Sequence, residues 1–499
     1  MMLFVVIIPF AGALLSLFSP GKMKEYVGMA AAAATCLIVM LLAFIPGGAV
    51  EFHHSLGGWA SPLGIRLHVD GLSIIFLLLT AVTGLLVTLY AGPYFNSPQE
   101  EKTDDWHFWP LWLLLLGGLN SLYISADIFN MYILLELISL AAVALTTLTG
   151  RAEALIAALR YLMAAMMGSL VFLLGVAFLY AEYGILDIGG LGLLLETNPS
   201  TITAFGLMVF GMLIKTALLP FHFWLPAAHG NAPAPVSAIL SALVVKGSYF
   251  MTLRIWFQIF PSVTTYSAAQ FLGGLGALAI LWGSFQAVRQ KRLKLLVAHS
   301  TVSQIGYLFL LFPLTIAQVS GEQDVSWNMQ AWTGGICQAV SHASAKAALF
   351  LAVGNIIHAL GTDRLISLRD IKGRLPLTVF TIGIAGVSLM GLPPSGGFVA
   401  KWMLLNAVIS SGQWWWIPVI VLGSLLTAGY VFLMLGHTFA PSRRNVALQS
   451  VPRTLEICAF TLALGAVFIG FTTSGIIDLL RMEFHAVPIP DAVSWRMPW

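Results

Sequence analysis

Residues Leu213–Tyr249 have the sequence LIKTALLPFHFWLPAAHGNAPAPVSAILSALVVKGSY. It contains two lysines, Lys215 and Lys246, and four prolines within two otherwise apolar segments. A lysine near the centre of a bilayer costs about 2.5–3.5 kcal/mol on insertion scales, and proline interrupts a helix because it lacks an amide hydrogen. The stretch therefore predicts a membrane helix that is broken beside a charged side chain.

The composition of the whole chain indicates a membrane protein. The 499 residues are 59% hydrophobic and 9% charged, with a mean hydropathy of +0.90, whereas about 25% of the residues in a soluble domain are charged. The formal net charge of +3 sums charges from both membrane faces, so it does not indicate nucleic-acid binding. We expect an all-α polytopic protein that lies in the lipid bilayer.

About fourteen apolar runs of the sequence are long enough to cross the hydrocarbon core, which is roughly 30 Å thick. They cover residues 2–19, 25–46, 71–92, 107–124, 127–149, 156–182, 201–226, 235–259, 264–287, 294–314, 327–360, 376–411, 414–439 and 454–480. The first run lacks a basic segment and a cleavage motif, so we interpret it as a mature helix rather than a signal peptide. The sequence thus predicts about fourteen transmembrane helices.

The loops between these runs predict the orientation of the chain. Of the 24 Lys and Arg residues, we assign fifteen to odd-numbered loops, among them Lys24, Lys102, Lys294, Arg443 and Arg444. Three belong to even-numbered loops or the tail, among them Arg496, and the other six are not assigned to loops. Cytoplasmic loops are enriched in Lys and Arg, so we expect the odd loops in the cytoplasm and both termini on the outer, periplasmic side. Arg160 and Arg254 lie near the ends of runs, and we expect their side chains to extend to the interface.

The cysteines and loops do not suggest a cofactor or a metal ion. Cys36, Cys337 and Cys458 stand alone inside apolar runs, without metal-ligand or disulfide spacing, and we interpret them as buried thiols. We find no glycine-rich nucleotide loop. We therefore expect no cofactor, no metal and no catalytic chemistry on this chain, so that its energy comes from an ion gradient or from a partner.

One glutamate and four lysines lie inside the apolar runs: Glu136, Lys215, Lys246, Lys346 and Lys401. Glu136 is nine residues into a helix that begins near Asp127, which places it about 13 Å along the axis and close to the middle of the membrane. Burial favours the neutral form of an ionisable group, and a nearby opposite charge favours the charged form. A pair of Glu136 with a lysine could therefore bind and release a proton.

Two histidines extend this set of ionisable residues. His299 lies in LLVAHSTVSQIGY, and His342 lies in QAVSHASAKAALF. His342 and Lys346 are four residues apart and so share a helix face. Neighbouring serine, threonine and glutamine side chains could hold bridging waters. Together these residues predict a polar axis along the membrane midplane, although each histidine could instead have a structural, hydrogen-bonded role.

The prolines suggest an internal repeat. Pro220 and Pro226 follow Lys215, whereas Pro393 and Pro394 precede Lys401. Two inverted repeats would produce this reversed order, and broken helices with a charge at the break mark ion sites in transporters. We expect each break to open a hydrated pocket in which the lysine carries a proton.

Five motifs resemble the antiporter-like subunit family: SADIFNMYILLEL, IKTALLPFHFWLPAAHGNAPAPVSAILSALVVK, KRLKLLVAHSTVSQIGY, SHASAKAALFLAVG and GLPPSGGFVAKWMLL. This family comprises the proton-pumping membrane subunits of respiratory complex I, the D and A subunits of Mrp cation/proton antiporters, and their relatives in membrane-bound group 4 hydrogenases. The motifs occur in the family's order over roughly residues 65–440.

The resemblance implies fourteen helices with two inverted five-helix repeats, each containing a broken helix. The divisions would be 1–106 for the first three helices, 107–259 and 264–440 for the repeats, and 441–499 for the last helix and tail. The resemblance also implies a multi-pass protein of a prokaryotic inner membrane. Its partners would be other membrane subunits of the same complex, and it would act on protons and, as a further candidate, on Na⁺.

The resemblance assigns roles to individual residues. Glu136 matches the acid of the family's fifth helix, and Lys215 matches the lysine of the broken seventh helix. Lys246 matches the lysine of the eighth helix, and Lys401 matches the charged residue of the broken twelfth helix. These four residues would then form part of the proton path.

The tenth and eleventh helices match the family less closely. His342 and Lys346 fall on a segment written HASAK, where relatives have a similar stretch of the eleventh helix. His299 stands where many relatives have tyrosine, and Gln304 lies near a position that is often histidine. We include His299, His342 and Lys346 in the expected proton path.

The sequence therefore predicts a proton-translocating membrane subunit of a multisubunit cation/proton antiporter or an ion-pumping redox complex. The motif DIFNMYILLEL favours an Mrp D-like protein and LPAAHGNAPAPVSAILSALVVK favours a hydrogenase-linked one, so we prefer these branches to a complex I-type quinone oxidoreductase subunit. The alternatives are a proton-driven membrane subunit of an inorganic-carbon uptake complex, a transporter of a small solute that works alone, and a purely structural role.

Overall fold

A computed structural model of the chain describes residues 1–44, 52–59, 64–97, 105–316, 325–369, 371–441 and 449–485. These residues are mostly helical, as the composition predicts. The chain divides into two compact units. The first unit comprises Met1–Ala217 with Phe221–Thr264, and the second comprises Leu218–Pro220 with Thr265–Trp499.

The described part of the first unit contains a two-stranded hairpin and a series of helices. The strands are β1 (Phe52–Ser55) and β2 (Arg66–Val69). The helices are α1 (Met2–Phe18), α2 (Met23–Ala43), α3 (Gly71–Phe95), α4 (Asp105–Ile124), α5 (Ile128–Thr146), α6 (Ala152–Tyr183), α7 (Ile188–Leu194), α8 (Pro199–Lys215), α9 (Leu225–Asn231), α10 (Ala234–Ile239) and α11 (Val245–Arg254). Two π-helical turns, Leu240–Val244 and Ile255–Ile259, continue the last two helices.

The described part of the second unit is helical. Its helices are α12 (Tyr266–Arg289), α13 (Leu293–Phe309), α14 (Leu311–Thr315), α15 (Val325–Leu360), α16 (Pro376–Met390), α17 (Gly396–Ser410), α18 (Trp416–Phe439), α19 (Arg453–Phe471) and α20 (Thr473–His485). Its helices pack side by side, and α15 contacts α13, α16, α17 and α19.

Ten helical segments among the described residues are long and apolar enough to cross a membrane. Four shorter apolar helices, α1, α8, α16 and α17, accompany them. Nearly all residues of the segment Ala234–Ile259 are buried within the protein, whereas only a third of those of Trp416–Phe439 are buried. The residues of these helices that face outward are apolar, and a lipid bilayer covers such a surface favourably.

Both helix breaks occur where the prolines predict them. Helix α8 ends at Lys215, and the chain resumes with a 3₁₀ turn at Phe221–Trp224. Helix α16 ends at Met390, and α17 begins at Gly396 after the two prolines. Proline has no amide hydrogen with which to continue the helical hydrogen bonds, so the chain leaves the helix at both places.

The β-hairpin positions a buried ion pair that the sequence did not reveal. Asp70 follows β2 and caps α3, where its side chain accepts a hydrogen bond from the Ser73 amide at 2.8 Å. Arg254 at the end of α11 donates to both Asp70 carboxylate oxygens, at 2.5 and 2.6 Å. Both residues are less than 5% exposed. The prediction that Arg254 extends to the interface is therefore wrong, because a buried carboxylate holds it inside the protein.

The charges around this pair are arranged to keep it ionised. Burial by itself would raise the pKa of the Asp70 carboxyl, but the Arg254 guanidinium overcomes this effect and holds it well below its usual range. Burial also lowers the pKa of His68 on β2 to about 4. His68 is therefore neutral at neutral pH and does not place a second positive charge beside Arg254.

Other differences from the sequence predictions concern the ends of runs. Lys24 and Lys294, assigned to loops, are buried in the first turns of α2 and α13. The last predicted run, 454–480, is divided, because α19 ends at Phe471 and α20 begins at Thr473. Lys102, Arg443, Arg444, Arg496 and most of the tail lie outside the described residues.

Asp70→Asn should destabilise the first unit strongly. Removing one partner of a buried ion pair leaves the other charge uncompensated, and this costs about 3–5 kcal/mol. Asp363→Asn is the matched control, because Asp363 pairs at 3.0 Å with Arg292, whose side chain is 43% exposed. A pair of that kind contributes about 1 kcal/mol or less. The apparent melting temperature of the detergent-solubilised protein should fall much further for the first variant, and equal shifts would show that burial does not strengthen the Asp70–Arg254 pair.

Candidate functional site

Glu136 and Lys215, both of which the sequence predicts as members of the proton path, contact each other in the first unit. The Lys215 Nζ lies 3.7 Å from Glu136 Oε2. Lys215 also donates a hydrogen bond to the Ser139 hydroxyl at 2.8 Å, and the Ser169 hydroxyl donates to Glu136. The ammonium side chain is only 4% exposed, whereas the carboxylate side chain is 25% exposed. One member of the pair is therefore buried, and the other keeps partial access to the surroundings.

Local sequence explains why these side chains meet. Asp127 caps α5 by accepting a hydrogen bond from the Asn130 amide, and Glu136 and Ser139 then lie one turn apart on one face. Asn198 and Thr201 form a capping box at the start of α8, and Pro199 occupies its first turn. Because α8 ends at Lys215, this lysine lies at the break, where the last turn of a helix has unsatisfied carbonyl groups.

A small cavity lies beside Lys215. Its volume is about 10 Å³, close to the smallest that can hold one water molecule. Its lining includes Ser139, Tyr161, Lys215, Trp224 and Ser248. The Tyr161 and Trp224 rings stack with their centroids 4.2 Å apart, and the Trp224 indole donates to the Ile214 carbonyl at 3.0 Å. The polar groups in this cavity can hydrogen-bond a water next to the ammonium group.

Lys246 lies in the same unit at an irregular part of its helix. The residue is fully buried, and its Nζ donates to the Ser241 carbonyl at 2.8 Å. Ser241 belongs to the π-helical turn Leu240–Val244, which precedes α11. A π-helical turn changes the backbone hydrogen bonding, and such turns are frequent at functional sites. The irregular turn thus provides an acceptor for a fully buried lysine.

Lys401 lies in the second unit at the other helix break. Its Nζ donates to the Leu389 and Met390 carbonyls, at 2.8 and 3.2 Å, and to the Ser424 hydroxyl at 3.1 Å. The ammonium also lies over the Tyr307 ring, 4.5 Å from its centroid. The two carbonyls end α16, where the helix dipole is negative. This helix end and the aromatic ring stabilise a positive charge without a carboxylate.

Lys346 and the two histidines also lie in the second unit. Lys346 is fully buried on α15, and its Nζ donates to the Val297 carbonyl at 3.1 Å and to the Ser300 hydroxyl, both on α13. His342 is buried one turn before Lys346, whereas His299 on α13 is half-buried. Lys346 and His342 therefore share a buried helix face, and His299 is the most accessible of the three.

A hydrogen-bonded group of neutral side chains continues from Ser300. Gln304 lies one turn further along α13 and accepts a hydrogen bond from Gln338 at 2.9 Å. Its amide lies 3.4 Å from both the Thr427 and the Tyr430 hydroxyls of α18. Ser424, which binds Lys401, lies one turn before Thr427 on that helix. Polar side chains therefore connect the surroundings of Lys346 with those of Lys401 inside the second unit.

Sequence reasoning missed several of the groups that hold Glu136 and the lysines. These are Ser139, Ser169, Tyr307 and Ser424, together with the carbonyls of Val297, Leu389 and Met390. A serine three residues after Glu136 was a usable signal, because that spacing places both on one face. The carbonyl partners had no signal in the sequence, since every residue has a carbonyl group.

The chain is similar in sequence to proteins of a known membrane family. The sequence profile of the family described as NADH:quinone oxidoreductase/Mrp antiporter, TM, matches residues 125–427. The N subunit of the NADH-quinone oxidoreductase of Desulforudis audaxviator is 33% identical over 493 residues, with 93% of each chain covered. The D subunit of the Na⁺/H⁺ antiporter of Bacillus subtilis is 30% identical over 390 residues, with 77% of this chain and 75% of the relative covered.

A similar fold occurs among solved structures. A chain in the structure of the Mrp complex from Dietzia sp. DQ12-45-1b has a TM-score of 0.84 and 22% sequence identity, with 96% of both chains covered. The relatives include proteins named for both quinone oxidoreductase and antiporter complexes. The preference for an Mrp or hydrogenase branch over complex I therefore stays a prediction.

Gly391→Ala should disturb the Lys401 site, whereas Gly383→Ala should not. Gly391 ends α16 with φ +81°, and a Cβ there would lie 2.7 Å from Lys401 Cδ. A non-glycine residue in such a conformation costs about 1–3 kcal/mol. Gly383 lies inside the same helix with no atom within 4 Å of an added Cβ, so alanine there should stabilise by about 0.5–1 kcal/mol. Apparent melting temperatures would check both, and equal values would contradict the close approach of Gly391 to Lys401.

Proposed function

We propose, since the chain belongs to the NADH:quinone oxidoreductase/Mrp antiporter transmembrane family, that it is a proton-translocating membrane subunit of a multisubunit cation/proton antiporter or ion-pumping redox complex. The observation that carries this proposal is the buried Lys215 ammonium 3.7 Å from Glu136, beside a cavity of water size. An intramembrane ion pair is costly to bury, and such pairs mark proton and ion pathways.

The proposed first step is the opening of the Glu136–Lys215 pair. Without the carboxylate, the buried ammonium loses the interaction that favours its charged form, so its proton moves on towards Lys246. A second positive charge near Lys246 costs several kcal/mol where the effective dielectric constant is low. This repulsion drives the next proton transfer without any covalent chemistry.

The remaining candidate residues of the proton path lie in the second unit. In the proposed path, His299, His342 and Lys346 carry protons through α13 and α15, and Lys401 is the terminal group. Support comes from the polar side chains that connect Lys346 with Lys401, and from the neutral acceptors around both lysines. A lysine held by carbonyl and hydroxyl oxygens can keep these neighbours in its neutral form, because an amine has two hydrogens to donate and a lone pair that accepts from a hydroxyl.

We further propose that fourteen spans form two inverted five-helix repeats at 107–259 and 264–440. Support comes from matching backbone bonds in the two halves. Ile128 N donates to Leu186 O and Ile188 N donates to Ala126 O, next to the start of α5. Leu293 N donates to Asp363 O and Leu365 N donates to Lys291 O, next to the start of α13. The fifth and tenth spans of the proposed scheme therefore begin with the same pairing of loops.

The chain would act within a larger complex in a prokaryotic inner membrane. The similar chain of the Dietzia structure comes from a complex, which supports other membrane subunits as partners. The basic residues of the odd-numbered loops support an orientation with both termini on the outer side. Protons are the proposed cargo, and Na⁺ is a further candidate because one relative is named as part of an Na⁺/H⁺ antiporter.

Lys215→Ala and Glu136→Gln should each abolish ion transport while the complex still assembles. The glutamine keeps an oxygen for the Ser169 hydrogen bond but removes the charge that pairs with Lys215. Arg160→Ala is the control, because Arg160 is exposed on the neighbouring helix α6. Proton flux into vesicles containing the whole complex is the measurement. Wild-type flux in an assembled Lys215→Ala complex would refute the proposed path.

A further inference from the structure

Glu456 is an acidic residue that the proposed path does not use. It lies in the first turn of α19, the last long apolar helix, and its side chain is half-buried. The helix packs against α15, α16 and α17. The Glu456 carboxylate accepts a hydrogen bond from the Thr378 hydroxyl of α16 at 2.9 Å. The acid is therefore held at a helix interface rather than exposed to lipid.

The hydrogen bonds continue inward from Glu456. Asn355 of α15 donates its side-chain amide to the Thr378 hydroxyl at 3.3 Å. Asn355 and Thr378 are both fully buried. Burying polar side chains from two helices costs free energy unless they are hydrogen-bonded. Three helices thus bring together an amide, a hydroxyl and a carboxylate at one end of the second unit.

One face of α16 continues from this cluster to Lys401. Thr381 follows Thr378 by one turn, and Ser388 pairs with the Ser341 hydroxyl of α15 at 2.7 Å. The next carbonyls, those of Leu389 and Met390, accept the hydrogen bonds from Lys401. From Thr378 to Met390 the helix rises about 18 Å. This distance is more than half of the roughly 30 Å hydrocarbon thickness.

We propose that Glu456 is a proton port of the second unit, which exchanges protons between the membrane surface at the start of α19 and Lys401. The proposal rests on the proposed function, because it supplies an end to the path through that unit. Glu456 takes up a proton as a carboxylic acid. The Thr378 hydroxyl then accepts one proton on its oxygen and releases its own, so the hydroxyl is unchanged. The proposal requires bound water to bridge the interval of about 10 Å between Thr381 and Ser388.

A purely structural role for Glu456 makes different predictions. An acid in the first turn stabilises a helix through its dipole, and the cost of losing it is small because the effect is confined to that turn. Glu456→Gln removes the charge but keeps an oxygen that can accept from Thr378. If the role is structural, this variant changes stability slightly and leaves transport at the wild-type rate. If Glu456 carries protons, the assembled complex loses transport.

Proton flux through the whole complex in vesicles tests the proposal. Glu456→Gln should reduce flux about tenfold or more, and Glu456→Asp should restore part of it. Asp478→Asn is the matched control, because Asp478 is an exposed acid on α20, and its flux should stay unchanged. If the Glu456→Gln complex has wild-type flux while the Lys215→Ala complex has none, the proposed role of Glu456 as a proton port is overturned and the proposed function stands. Wild-type flux in both variants would overturn the proposed function as well.

A second variant keeps the proposal testable if Glu456→Gln does not assemble. Thr378→Val keeps the acid and its charge at the helix start but removes the hydroxyl, whereas Thr378→Ser keeps the hydroxyl. Thr378→Val should lose flux in an assembled complex, and Thr378→Ser should retain it. Wild-type flux in the valine variant would overturn the port.

Discussion

A charged side chain in a low-dielectric interior needs a compensating charge or dipole close by, and the buried lysines at the candidate site meet that requirement in different ways. Lys215 has a carboxylate at 3.7 Å. Lys246 has a carbonyl of its own helix, Lys346 has a carbonyl and a hydroxyl of a neighbouring helix, and Lys401 has a helix end and an aromatic ring. Among these partners only the carboxylate beside Lys215 carries a formal charge. Moving that group therefore changes the electrostatic energy of its lysine more than moving any of the other partners would.

Departures from regular helix supply several of these acceptors. In a regular helix most carbonyls already accept a hydrogen bond from an amide of the same helix. The π-helical turn at Leu240–Val244 and the end of α16 at Met390 release carbonyls within apolar surroundings. Lys246 and Lys401 therefore occur beside irregular backbone, because each ammonium group donates a hydrogen bond to a carbonyl at such a place.

Much of the fold followed from patterns that depend on local chemistry. Hydropathy predicted the membrane helices, prolines predicted both breaks, and the position of Glu136 midway along α5 followed from its distance to Asp127. The Arg254–Asp70 pair was missed because its members are separated by 184 residues and each lies at the end of an apolar run. The division of the last run at Phe471 was missed although Thr472, Thr473, Ser474 and Gly475 interrupt the apolar sequence there.

The amino-acid sequence is enough to predict the class of protein, the positions of the breaks and the identity of the ionisable residues, since each depends on composition or on a few neighbouring residues. Which of those residues meet depends on how the helices pack. Glu136 approaches Lys215, and Arg254 turns inward to Asp70. Such contacts depend on how helices far apart in sequence pack against one another, and the periodicity of a single helix specifies a face without specifying the partner that covers it.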